Sequence, residues 1–590
     1  LAQRHRWSTR YSLARLSVFL SGLIVAFMAF NLLHTWLGGA IALAFALVFG
    51  LLVYRHRRIE ESLFHHTLWR ELKFTQVARL KLNWEELEPT LLISSQPEHP
   101  FELDLDLTGK RSLHALIDLA VTRRGSQRLR DWLLTPTPDP KTILQRQALV
   151  RELAPLALFR DKLWLTARLA SPQSRAHWES ETLLAWLKGS ALPKSVIPVL
   201  LILSGLAAVN IVLWVLSQLG LLTSFWIYSL LLYVLIYYTQ RSRINTLFQE
   251  ALSLENVLGQ FQAILEYLET RTRHSKPHLR KLCEPLLNAP SRPSLQLKRI
   301  ARVAQAAQLQ RHPFLWPVVN ALVPWDLYFV CQLHQYRTTI AKLLPQWLDV
   351  WFELEALLSL ANFSYLNPSY VLPELIQTDE KKRELLHTQG LGHPLLFYHN
   401  KVCNDFSLER IGELAIVTGS NMSGKSTFLR TLGVNLSLAQ AGGPVNASRF
   451  EFAPMRMFAC IRVNDSLADG ISYFYAEVRR LKALLVELEK PHAHPVFFLI
   501  DEIFKGTNNR ERLIGSRAYI RALTRQNGLG LVATHDLELV KLADEMASIK
   551  NYHFREEVLD SKMRFDYRLH PGPCPTTNAL KIMQMEGLPI

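Results

Sequence analysis

Cysteine is scarce in this chain. Five residues (Cys283, Cys331, Cys403, Cys460, Cys574) occur in 590, with no C-x-x-C pair and no metal-ligand spacing. That excludes a disulfide-built secreted scaffold, and the thiols read as ordinary buried groups in a reducing compartment. Acidic residues are in deficit, 51 Asp+Glu against 67 Lys+Arg, a formal net charge of +16. Such a balance suits an anionic partner, and nucleic acid and acidic lipid both qualify. Internal repeats, low-complexity tracts and a Ser/His/Asp constellation are missing as well. A disordered polyelectrolyte is excluded, because 49% of the residues are hydrophobic and 10% aromatic. The length predicts three or four structural units.

Charge itself is absent from two windows. Residues 16–54 and 195–240 contain no Asp, Glu, Lys or Arg. A bilayer-spanning helix needs about 20 apolar residues, so each window predicts a transmembrane hairpin of two spans. The expected turns are Leu37-Gly38-Gly39 and Ser217-Gln218-Leu219-Gly220. Trp36, Trp214, Trp226, Tyr237 and Tyr238 fall near the expected ends, where amphipathic rings favour the interface. Arginines and lysines flank both windows (Arg4, Arg6, Arg10, Arg15; Arg55, Arg57, Arg58; Lys188, Lys194; Arg241, Arg243) while the turns carry none. The positive-inside rule then predicts a multi-pass protein of the inner (cytoplasmic) membrane with its soluble parts in the cytoplasm. The apolar stretch is too long for a signal peptide. A third apolar run, Phe314 to Leu333, contains Asp326 and reads as a packed or interfacial helix.

The C-terminal third carries a nucleotide motif. Leu414-Ala415-Ile416-Val417-Thr418 reads as a buried strand running into Gly419-Ser420-Asn421-Met422-Ser423-Gly424-Lys425-Ser426, then Thr427 and a helical pattern to Ala441. Strand, G-x-x-x-x-G-K-[ST] loop and helix form the context in which backbone N–H groups cradle phosphates. Lys425 is expected on the terminal phosphates of ATP and Ser426 on Mg²⁺. A second apolar run, Val496 to Ile500, ends in Asp501-Glu502. Asp501 is assigned to Mg²⁺ and Glu502 to general-base catalysis. A third, Gly530 to Thr534, ends at His535, placed to sense the terminal phosphate or to cap the next helix.

These motifs, in order, resemble the ATPase domain of the MutS family of DNA mismatch-repair proteins. The resemblance rests on Gly392-His393-Pro394-Leu395, Thr418 through Thr427, Asp501-Glu-Ile-Phe-Lys-Gly-Thr507 and Ala533-Thr-His-Asp536. Asn464 through Phe474 resembles the family's signature segment, and the resemblance implies that Ser472 reaches the nucleotide of a partner subunit. It therefore implies a homodimer with composite ATP sites, supported by a tail from Tyr567 to Pro589 that follows the family's ending. Upstream, Leu105–Leu113, Gly125–Leu134 with Arg146-Gln147, and Trp351–Ala361 are similar to the family's helical core. The departures are equally clear. An amino-terminal mismatch-reading domain, its Phe-x-Glu wedge and a connector domain are not found, and the clamp is expected to be reduced or missing. Lys401 falls where the family places an adenine-stacking aromatic, with Phe397 or Tyr398 as substitutes.

The expected fold class is an α/β P-loop (ABC-type) ATPase domain C-terminal to an all-α MutS-like core/lever domain, with two transmembrane helical hairpins. The expected domains are 1–60 with the first hairpin, a linker over 61–100, a helical core and lever over 101–385 containing the second hairpin, and the ATPase and dimerisation domain over 386–590. Arg241 to Glu269 reads as a long amphipathic lever helix. Basic clusters at Arg123-Arg124, 271–281 and 292–302 suit phosphodiesters or acidic headgroups. From residue 390 onward there are 24 basic and 21 acidic residues, so +13 of the +16 belongs to the preceding part. Two functions follow: an ATPase acting on mismatched or branched DNA, by resemblance, or one acting on a membrane partner or lipid without DNA.

Overall fold

The computed structural model describes the chain except residues 1, 33–34, 89–95, 97, 171–195, 289–290, 308–314, 377–384, 421, 463–472, 560–561 and 575–590. Asn421, residues 464–472 of the signature segment, with Ser472, and the end of the tail therefore lie outside the described residues.

Helices dominate the first 366 residues. Two long ones, Ala2–Leu32 and Thr35–Lys81, lie side by side as a hairpin. The expected turn at Leu37-Gly38-Gly39 is helical and lies within the second of these helices. Gly38 serves close approach: a Cβ there would sit 2.8 Å from the Phe30 ring. A small residue lets two apolar helices touch where a larger one would hold them apart.

The segment expected to be a linker from residue 61 is also helical as far as Lys81. Its buried face (Leu63, Leu68, Leu72, Gln76, Ala78) docks on the core. Lys73 Nζ donates to Asp161 Oδ2 at 2.5 Å, Gln76 Nε2 to Asp161 Oδ1 at 3.2 Å, and Arg79 Nε to the Leu116 carbonyl at 2.7 Å. One rod thus joins the apolar hairpin to the core.

Among the described residues three helices are long and apolar enough to cross a membrane, by length and composition: Gln3–Asn31, Thr35–Leu80 and Ile197–Gln218. The expected fourth span is shorter, an apolar stretch Trp226–Thr239 at the start of the helix Trp226–Thr272. The connection after Gln218, with Gly220 at φ +72°, uses up residues that a tight turn would have left for a full span. Phe314–Leu333 behaves as expected of a packed element. It breaks at Pro324 between the helices Leu315–Leu322 and Trp325–Leu366. Asp326 is fully buried, and its Oδ2 accepts from Tyr237 Oη at 2.6 Å and Trp316 Nε1 at 2.9 Å.

The helix Trp226–Thr272 carries Phe261, Ile264, Leu265 and Leu268 into the main core, as does Trp325–Leu366 with Leu344, Trp347, Trp351, Leu354 and Leu357. Glu355 lies fully buried in that core. Its Oε1 accepts from the backbone N–H of Val121 at 2.8 Å and Thr122 at 3.0 Å, fixing the start of the helix Arg123–Leu133. Burial pushes the Glu355 carboxyl up to about 8, overriding those donors. A carboxyl raised in the fold favours folding below its ordinary range, and that contribution is lost as pH rises through about 8. The unfolding midpoint in detergent is therefore expected to fall between pH 5 and 8.5. Glu355→Gln should flatten that slope, and an unchanged slope would refute the assignment.

Among the described residues twelve strands follow in chain order: β1 Glu374–Leu375, β2 Leu386–Leu391, β3 Asn404–Leu408, β4 Leu414–Thr418, β5 Arg449–Phe452, β6 Arg456–Cys460, β7 Val496–Asp501, β8 Gly528–Ala533, β9 Ile549–His553, β10 Glu556–Leu559, β11 Lys562–Phe565 and β12 His570–Pro571. Six of them form one sheet in the order β12-β9-β4-β8-β7-β6, parallel except at β12. Its central strands are buried on both faces, which is why they read as unbroken apolar runs. A smaller sheet, β1-β5-β2-β3, lies alongside. The segment after Pro100 ties core to sheet. Asp104 Oδ1 accepts from the backbone of Ile461 at 2.8 Å and Arg462 at 2.5 Å, and Arg480 pairs with Asp104 Oδ2 at 3.2 Å.

Candidate functional site

The C-terminal ends of β4, β7 and β8 converge on one place, as parallel strands do in open α/β sheets. The chain leaves β4 at Thr418 and turns through Gly419 (φ +148°) and Gly424 (φ +109°) into the helix Lys425–Ala441. Side-chained residues rarely tolerate those angles, so glycine is required at both positions. Met422 between them is left-handed too (φ +70°) and 84% exposed. Gly424 caps the helix without any side-chain bond, which leaves its first N–H groups aimed outward for an anion.

Lys425 is buried, and its Nζ donates to the carbonyls of Gly419 at 2.6 Å and Ser420 at 2.7 Å. Burial pushes the ammonium below the usual lysine range, against the pull of Asp501, Glu502 and Glu556. Ser423 and Thr427 flank it in the loop and first helical turn. Ser426 Oγ donates to Asp501 Oδ2 at 2.5 Å, which brings the two expected Mg²⁺ residues together at the end of β7. A hydroxyl beside a carboxylate is a donor set that suits Mg²⁺, which keeps waters and phosphate oxygens for its remaining positions. Among the described residues no cluster of three or more His, Cys, Asp and Glu offers a dedicated metal cage.

Glu502 follows Asp501 in a left-handed conformation (φ +64°), and Phe504 repeats it (φ +58°). Backbone strain of about 1–3 kcal/mol per residue persists only where surrounding structure imposes it. The Glu502 N–H bonds the Ala533 carbonyl at 2.8 Å, and Glu502 Oε1 lies 3.1 Å from His535 Nδ1 at the end of β8. Glu502, His535, Asp501, Ser426 and Lys425 therefore share one site.

Beside the loop lies a cavity of about 500 Å³ lined by Leu391, His393, Leu396, Val402, Phe428, Phe554 and Tyr567 among others. It suits a flat apolar ring. His393 is buried, and desolvation, aided by Arg430, lowers its imidazole to about 4, so it stays neutral. The expected substitutes for the adenine-stacking aromatic, Phe397 and Tyr398, are not among the residues lining this cavity. Lys401, Phe397 and Tyr398 line a separate small cleft with Tyr370, where the Lys401 ammonium sits 5.5 Å from the Tyr370 ring centre. Sequence reasoning missed Tyr567, Phe554 and Glu556, whose carboxylate accepts from Ser420 Oγ. Their distance along the chain left no spacing to read, although His393 stood in a quoted motif.

A phosphate-cradling loop, a carboxylate pair one strand away and a polar strand end between them define a P-loop ATPase. The particular domain is equally plain. The family model for MutS domain V, an ABC-type ATPase domain, matches residues 415–590. Curated relatives carry the name DNA mismatch repair protein MutS. The Aquifex pyrophilus protein is 31% identical over 229 residues, 38% of this chain and 26% of its own length. The Chloroflexus aurantiacus protein is 31% identical over 265 residues, 44% of this chain and 26% of its own. DNA mismatch repair protein MutS 2 of Haloarcula marismortui is 33% identical over 178 residues, 30% and 18% respectively. The chain thus spans about a quarter of these relatives or less, and it carries a MutS-family ATPase domain related to theirs.

Proposed function

We propose that this chain is a membrane-anchored MutS-type ATPase, acting as a homodimer, whose ATP cycle moves helices rooted in the bilayer. One observation supports this above others. The helices Thr35–Lys81 and Trp325–Leu366 run from apolar segments to a single cleft, lined by Arg79, Leu80, Phe363, Leu366 and the loop 394–401. Leu396 of that loop lines both this cleft and the nucleotide cavity. Gln76 and Asn362 join the two helices there, 3.4 Å apart. Leu396 is thus the residue through which an occupant of the cavity would reach the cleft between the two rods.

At the site, Lys425 leaves its loop carbonyls for the terminal phosphates. Ser426 and Asp501 would hold Mg²⁺, which supplies charge neutralisation on the phosphates. Glu502 accepts the proton of the attacking water. His535, hydrogen-bonded to Glu502, fixes the carboxylate's direction. Ser472, by the family resemblance, completes the partner's site.

DNA binding is the second reading. The relatives' names support it, as does a cleft of about 640 Å³ lined by Arg123, Arg124, Gln127 and Arg128 on the soluble core. Turnover of the purified protein in anionic lipid, with homoduplex, mismatched or branched DNA added, separates the two. DNA-dependent turnover or binding at moderate salt favours the second reading. Turnover that responds to lipid and ignores DNA favours the first.

A further inference from the structure

Glu477 has no part in the motifs above, yet its buried carboxyl meets the backbone that follows Glu502. It stands in the first turns of the helix Tyr473–Glu489 and is 3% exposed. Its Oε1 accepts the backbone N–H of Lys505 at 3.2 Å, and the Phe504 N–H also points at the carboxyl. Its second oxygen, Oε2, is buried with no hydrogen-bond partner. Burial and the nearby Glu502 charge both push the carboxyl above the usual range.

The backbone it grips is the strained one. Glu502 and Phe504 are both left-handed, and Lys505 is the next residue. Opposite, the Phe504 ring wedges between Phe474 of the same helix and Tyr519 of the helix Asn509–Leu523, at centroid distances of 6.4 and 6.2 Å. Tyr519 Oη in turn donates to the Leu481 carbonyl at 2.8 Å. The loop leaving β7 is therefore held from both sides, and Glu477 supplies its polar hold.

We propose that Glu477 is a positioning residue for ATP hydrolysis. Its carboxyl fixes the Phe504-Lys505 backbone and thereby the direction of the Glu502 carboxylate toward the attacking water. It touches neither phosphate nor water itself. The inference rests on Glu502 acting as the base, not on membrane attachment or DNA binding.

The test is a kcat against nucleotide-affinity split on the full chain in lipid. Glu477→Ala and Glu477→Asp, which remove the acceptor or draw it back by one methylene, are expected to lower kcat roughly 10- to 100-fold, below the full 10²–10⁴ of a lost base. ATP affinity should stay within about threefold. Glu477→Gln keeps an acceptor oxygen of the same reach and should retain at least about a third of the wild-type kcat. Normal turnover in Glu477→Asp overturns the proposal. So does a parallel loss of ATP affinity in Glu477→Asp, or a Glu477→Gln variant as slow as Glu477→Ala. If Glu477→Ala does not fold, the Asp and Gln variants decide alone. Normal turnover of Glu502→Gln would instead refute the base assignment, a separate failure.

Discussion

Glu502→Gln is expected to lower ATP turnover by roughly 10²–10⁴-fold while ATP affinity stays within about threefold. The carboxamide has the carboxylate's shape and can still meet His535, which lies 3.1 Å from Glu502 Oε1. It cannot accept a proton from water, so a step confined to the transition state is lost and ground-state binding is kept. Lys425→Ala should behave in the opposite way, because Lys425 already sits in the loop that must hold the phosphates. There, affinity itself should fall. His535→Ala is expected to cost less than Glu502→Gln, since it removes only the group that orients the carboxylate. Single-turnover kinetics with equilibrium nucleotide binding would check all three. Turnover of Glu502→Gln within about threefold of wild type would remove Glu502 from the mechanism.

How this site could be read in advance depends on the distance over which each signal acts. β4, β7 and β8 are buried on both faces, so Ile416, Phe498 and Val532 stand in apolar runs that announce strands without any alternation. The loop after β4 is local chemistry, with glycines at two of its three positive-φ positions. The cavity beside that loop is different. His393, Phe428 and Tyr567 meet only because β3, β4 and β9 are arranged around them, and nothing in their spacing states that. Lys401 shows the cost of carrying a position across from a family pattern: its side chain turns to Tyr370 and Asn446 instead.

The first helical hairpin illustrates the same limit. Gly38-Gly39 has the composition of a turn in water. Between apolar helices a glycine instead permits contact, here with Phe30. The helix past residue 61 was hidden because its charged residues (Arg70, Lys73, Arg79) mask a narrow buried face that has meaning only against Asp161 and Leu116. Composition located the apolar segments correctly and said little of their continuation. Yet that continuation, a rod from hairpin to core, links the ATP site with whatever surrounds the hairpin.

A single charge on the hairpin decides what does surround it. Leu43 lies near the middle of the apolar part of Thr35–Leu80 and is 63% exposed, amid exposed Leu47, Phe27 and Leu23. In water, a contiguous apolar face of this kind is an aggregation hazard, and an arginine upon it would be neutral or helpful. In hydrocarbon the same arginine costs about 2.5–3.5 kcal/mol, on the order of 100-fold in the insertion equilibrium. Leu43→Arg is therefore expected to shift a large fraction of the protein from the membrane to the soluble or aggregated fraction, read by carbonate-resistant sedimentation. Leu144→Arg, at a half-exposed position on the soluble helix Pro140–Leu153, should leave that distribution unchanged. The two substitutions add the same charge to leucines of similar exposure, so a difference between them measures the solvent on each surface. If Leu43→Arg remains as membrane-bound as Leu144→Arg, the hairpin does not lie in hydrocarbon and the rods end in water.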